Sequence, residues 1–252
     1  MRPSTESGER AVSEQEQVRA RSDDLVLLFD VDNTLLDNDR VQSDLRRHLA
    51  DSYSTKARDR YWALFEELRT ELGYADYLGA LERYRIEQMH DPRILRLANW
   101  MADYPFVARL YPGALAAVRH ARKFGTPVIL SDGDAVFQPL KIERSGLWRR
   151  FNSRVLIYIH KETELDDVER WFPARHYVLI DDKLRILDAV KRRWMERVTT
   201  VFVRQGHYAR GRVANEGYGP PDITLERIGD LRQHGREAFA PKKAKGSPVA
   251  QQ

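Results

Sequence analysis

Five short runs of the chain, at residues 25–29, 126–130, 154–159, 177–180 and 198–203, are almost continuously apolar and rich in β-branched side chains. Continuous rather than alternating hydrophobicity is the pattern of a strand covered on both faces, as in a parallel sheet. Segments of helical spacing separate the last four runs. Residues 111–125 place Leu115, Val118 and Ala121 on one face and end in Gly125, a residue suited to the position just after a helix. Residues 136–145, closed by Gly146, then 164–171 and 184–194 follow the same pattern. Strand and helix alternating in this way predict an α/β fold, a Rossmann-like parallel sheet with right-handed crossovers and helices on both faces.

A long insertion with a different texture separates the first run from the second. Leu45, Leu49, Tyr61, Phe65, Leu68, Leu72, Tyr77, Leu81, Tyr84, Leu95 and Trp100 recur at three- and four-residue intervals, with Arg and Glu between them. That spacing predicts a small α-helical bundle over 38–108, inserted into an α/β core made of 24–37 and 109–237. Residues 1–23 and 238–252 lack hydrophobic periodicity and are expected to be disordered tails. A chain of 252 residues suits one large domain carrying an insertion, and no internal repeat argues for a solenoid.

Composition narrows the chemistry. With no cysteine, disulfides, thiolate metal sites and cysteine nucleophiles are excluded, so any reaction runs on oxygen and nitrogen. The 42 basic residues, mostly arginine, nearly balance the 38 acidic ones, and part of the excess lies in the stretch PKKAKGSP. No nucleic-acid partner is expected from such a balance. The first two dozen residues contain no apolar signal region, and no run approaches the ~20 apolar residues of a membrane helix, so no membrane association and a cytoplasmic location are expected.

In open α/β sheets ligands gather beyond the carboxyl ends of the strands, so the residues following each apolar run are the ones to inspect. The first run leads into Asp30-Val-Asp32-Asn-Thr34, the second into Ser131-Asp132-Gly-Asp134, the third into His160-Lys161 and the fourth into Asp181-Asp182. An isolated Asp-x-Asp is common in turns and helix caps. The ordered set is not, because each member directly follows its own buried run. In an extended chain Asp30 and Asp32 would point the same way, and carboxylates gathered at one strand edge call for a cation. An all-oxygen set suits Mg²⁺, with no calcium-loop spacing present.

That ordered set resembles the haloacid dehalogenase (HAD) superfamily, and the resemblance extends from about Leu25 to Val203, with DVDNTLLD, LSDGD, Lys161 and Ile180-Asp181-Asp182 as the four motifs. The helical insertion looks like the cap found between the first two motifs in many members. The resemblance implies that Asp30 is the nucleophile that forms an aspartyl-phosphate. Asp32 would protonate the leaving alkoxide and then activate water. Ser131, Asp132 and Lys161 would hold the phosphoryl group, and Mg²⁺ would be bound among Asp30, Asp32, Asp181 and Asp182. The fourth motif departs from the commoner Gly-Asp form and has Ile186 where a further Asp usually stands; Asp182 is expected to ligate directly and Asp181 through water or from behind. Lys183 competes with Lys161, after which the usual proline is missing.

The function so implied is Mg²⁺-dependent hydrolysis of a small phosphorylated metabolite. A phosphomutase or phosphotransferase and a non-catalytic phosphate-binding module are the alternatives. A 2-haloacid dehalogenase is disfavoured by Asp32, since halide departure needs no acid. Arg40, Arg46, Arg47, Tyr84 and Arg85 are candidates for gripping the organic part of a substrate, and residues 205–208 for lining the rim. Monomer and homodimer are left open.

Overall fold

A computed structural model describes residues 23–211 and 216–239. Six strands form one wholly parallel sheet in the order β3-β2-β1-β4-β5-β6. These are β1 (Asp23–Phe29), β2 (Thr126–Asp132), β3 (Val155–Tyr158), β4 (Ala174–Asp181), β5 (Val198–Val203) and β6 (Ile223–Leu225). The apolar runs dictate the first five: four bury both of their faces, and β3, at the sheet edge, is half-buried on both. In β1, Leu25, Leu27 and Phe29 pack into one core layer and Val26 and Leu28 into the other. The sixth strand has three residues, too few to show periodicity, and lies beside β5.

Four helices fill the insertion between β1 and β2: α1 (Asn38–Ser52), α2 (Thr55–Leu72), α3 (Tyr77–Glu87) and α4 (Ile94–Ala102). Side-chain caps start three of them: Asp37 accepts from Arg40 N at 2.9 Å, Ser54 from Ala57 N at 3.0 Å and Asp76 from Gly79 N at 2.7 Å. Tyr61, Phe65, Leu68 and Tyr77 are buried between them, as their spacing predicts. The chain enters and leaves the insertion through two linkers paired with each other. Asp37 N donates to Arg109 O at 2.8 Å and Tyr111 N to Leu35 O at 2.9 Å, on either side of an antiparallel Leu36–Leu110 bridge.

The remaining helices flank the sheet: α5 (Ala114–Ala121), α6 (Phe137–Arg144), α7 (Leu147–Arg150), α8 (Leu165–Trp171), α9 (Leu184–Trp194) and α10 (Gly206–Arg210). Gly146, at φ 76°, follows α6 as expected. Gly125 does not cap α5, which already ends at Ala121. A Cβ at Gly125 would sit 2.2 Å from Leu25 O, so this glycine lets two backbones approach closely. The segments expected as tails lie mostly outside the described residues. Their inner boundaries shift, since Asp23 already belongs to β1 and a short 3₁₀ turn, Arg236–Phe239, buries Phe239 completely.

Candidate functional site

Sheet register assembles the site. Phe29 lies level with Ile180 on one side and Ile129 on the other, so Asp30, Asp181 and the Leu130–Ser131 step reach the carboxyl edge together. Asp30 N donates to Ile180 O at 3.0 Å, which carries the ladder one residue beyond β1. After Asp30 the chain turns tightly. Val31 O accepts from Leu35 N and Leu36 N, both at 2.9 Å. The chain is therefore not extended here, and Asp30 and Asp32 part company.

Asp30 is buried, with Lys161 Nζ donating to its Oδ1 at 2.6 Å. The same Nζ lies 2.6 Å from Asp181 Oδ2 and 3.3 Å from Leu130 O. Lys161, not Lys183, is thus the lysine touching Asp30. Burial alone would push the Lys161 ammonium down, but Asp181, Asp30 and Asp132 around it hold it well above its usual range. Its backbone N donates to Asp132 Oδ1 at 2.8 Å, locking the second and third motifs together. Ser131 is buried and accepts from Gln138 Nε2 at 2.9 Å.

Asp30, Asp181 and Asp182 bring carboxylate oxygens within 4.8 Å of one another, and all three are buried. Burial raises Asp181 to about 6 against the pull of Lys161, and raises Asp182 well above the carboxylate range against the pull of Lys183. Asp30 Oδ2 and both oxygens of Asp182 are buried without a hydrogen-bond partner. Such orphaned anionic oxygens are costly unless a cation meets them. The donors are all carboxylate oxygens, so the residues present fit Mg²⁺, with Asp182 the least satisfied of the three.

Asp32 departs from the expected metal set. Its carboxylate, 26% exposed, stands outside the trio and is held by Lys141, whose Nζ donates to Oδ1 and Oδ2 at 2.8 Å each. It faces a cavity of about 390 Å³ between the helical insertion and the sheet edge. Asp30, Ser131 and Lys161 do not line that cavity, but Asp32, Asp132 and Lys183 do.

The substrate-gripping residues foreseen in the insertion are engaged elsewhere. Arg40 and Arg47 pair with Asp44 at 3.3 and 3.4 Å, Arg85 pairs with Glu82 at 3.4 Å, the Arg46 guanidinium lies 3.7 Å from the centre of the Trp62 ring, and Tyr84 is core. The insertion contributes Gln42, Arg69, Tyr74 and Tyr77 instead. From the sheet side come His160, Arg185, His207 and Tyr208, the last two from the segment expected at the rim. Arg69 and Tyr74 flank the end of α2, where the periodicity of the bundle says nothing about direction. Gly73, at φ 80°, ends that helix, and a Cβ there would lie 2.8 Å from the His160 ring.

No protein-family model matches the chain, and no curated protein sequence does. Solved structures do. A haloacid dehalogenase-like hydrolase from Burkholderia xenovorans LB400 is 58% identical, with a TM-score of 0.82 over 85% of this chain and 98% of that one. The L-2-haloacid dehalogenase of Xanthobacter autotrophicus is 17% identical, with a TM-score of 0.56 over 82% of this chain and 96% of its own. The HAD-hydrolase YfnB of Bacillus subtilis, whose structure is bound to magnesium, is 16% identical, with a TM-score of 0.57 over 82% and 96%. At such identities the last two share the fold alone.

Proposed function

The chain belongs to the haloacid dehalogenase-like hydrolases, and from that premise we propose that it hydrolyses a small phosphomonoester, with Mg²⁺ bound, through a phosphorylated Asp30. The observation that carries this reading is the division of labour between two carboxylates. Asp30 is buried beside Lys161, whereas Asp32 faces the cavity on the substrate's side. Displacement of a halide needs no proton donor, and departure of an alkoxide does.

Asp30 attacks phosphorus, and the ester P–O bond breaks as Asp32 gives its proton to the departing oxygen. Water then attacks the phosphorus carried by Asp30 and gives its proton to Asp32, while the bond from phosphorus to the Asp30 oxygen breaks, freeing the carboxylate and releasing inorganic phosphate. Lys161 offsets the charge of Asp30 and the incoming phosphoryl group, and Ser131 offers a small hydroxyl donor. Asp30, Asp182 and Asp181 would hold Mg²⁺, which when bound neutralises charge on the phosphoryl oxygens. The cavity, about 390 Å³ and lined on one side by the helical insertion, suits a small phosphorylated metabolite.

The test is phosphate release from a panel of phosphomonoesters, with and without Mg²⁺, alongside halide release from 2-haloacids. Mg²⁺-dependent phosphate release, abolished by Asp30→Asn, is expected. Halide release without phosphate release would replace this reading with dehalogenation. Phosphorylation of the protein without release to water would replace it with transfer to a second hydroxyl.

A further inference from the structure

Lys141, on α6, is completely buried and takes no part in the chemistry above. Besides both oxygens of Asp32, its Nζ donates to Asn38 Oδ1 at 3.2 Å. The rings of Tyr77 and Phe137 lie 5.8 and 5.7 Å from the same nitrogen. A position that only needed filling would favour an apolar side chain, since a buried ammonium is costly unless it is paired. Lys141 does not line the cavity and Asp32 does, so Lys141 meets a substrate only through Asp32.

Asn38 extends the contact into the insertion. Its Nδ2 donates to the Tyr77 hydroxyl at 3.3 Å, which also accepts from Gln42 Nε2 at 3.0 Å. One buried ammonium therefore links the turn after β1, helix α6 of the core and helices α1 and α3 of the insertion.

Resting on the phosphatase reading, we propose that Lys141 is the positioning residue for proton transfer by Asp32. Gripping both oxygens fixes the rotation of the carboxylate, so that it addresses the ester oxygen rather than sampling the cavity. As Asp30 forms its bond to phosphorus and the ester bond breaks, the proton on Asp32 passes to the departing oxygen. The carboxylate left behind stays in the grip of Lys141, ready to accept the proton of the attacking water.

The experiment compares kcat/KM on two esters. The phenolate of p-nitrophenyl phosphate leaves without a proton, whereas the leaving group of an alkyl phosphate, the fastest of the panel, needs one. Lys141→Met is expected to lose at least about 30-fold on the alkyl ester and less than about threefold on the aryl ester. Added to Asp32→Asn, it should cost no more than about a further twofold, because the two residues act as one unit. An equal fall on both esters, with an unchanged Tm, would overturn the role of Lys141, and so would an additive loss on Asp32→Asn. If Lys141→Met does not fold, the double variant, which leaves no lone charge at the pair, decides against Asp32→Asn alone by the same twofold limit. No turnover of either ester by the unaltered protein would instead overturn the phosphatase reading, and this inference with it.

Discussion

Asp182 has two carboxylate oxygens sealed from water with no hydrogen-bond partner, beside two further buried carboxylates. In the metal-free protein that repulsion is a standing cost, and its pH dependence has a definite sign. Asp181 titrates near 6 in the folded chain, above the ordinary value of 3.8, and Asp182 is raised as well. Both are therefore harder to ionise folded than unfolded, so the metal-free protein loses stability as pH rises from about 4 through 6 and on through the range in which Asp182 ionises. Binding of Mg²⁺ requires the ionised forms. The increase in Tm on adding Mg²⁺ should therefore be larger at pH 8 than at pH 5, as a thermal melt at the two pH values would show. Asp182→Asn should raise the metal-free Tm at pH 8 and abolish most of the response to Mg²⁺.

At the scale of elements, the join between the insertion and the core rests on close approaches. Gly73 ends α2 in the left-handed region against the His160 ring, two atoms of which a Cβ would meet at 2.8 and 3.0 Å. Gly73→Ala should cost about 1 kcal/mol or more from backbone strain and the contact, lowering Tm by roughly 2–4 °C. It should also raise KM, because His160 and Tyr74 both line the cavity. Gly73 was no more legible in the sequence than Gly125, because a glycine pattern does not reveal which backbone lies opposite. The first five strands and the order of the acidic edge were legible, since continuous apolar runs and strand-end position are local properties. Lys141 was not. It appears as one polar residue in an amphipathic segment, four residues after Phe137, and only the fold brings Asp32 across 109 positions to meet it. The arginines of the insertion misled for the same reason: charge is visible in a sequence, but its partner is not.

For the whole molecule, stability depends on the chain continuing to Phe239, which is buried in the same core layer as Phe29 and Phe151. Phe239→Ala should cost about 3–5 kcal/mol, measurable by urea unfolding, despite its place near the end of the described chain. The two linkers joined by the Leu36–Leu110 bridge have a mechanical consequence for the assembled molecule. A ribbon two strands wide flexes readily across its face, but sliding one strand past the other breaks its hydrogen bonds. The four-helix insertion is thus strapped to the core by a joint that is stiff against skewing. The insertion meets the core again where Gly73 closes on the His160 ring, so the strap and this close approach together hold the two walls of the cavity in register.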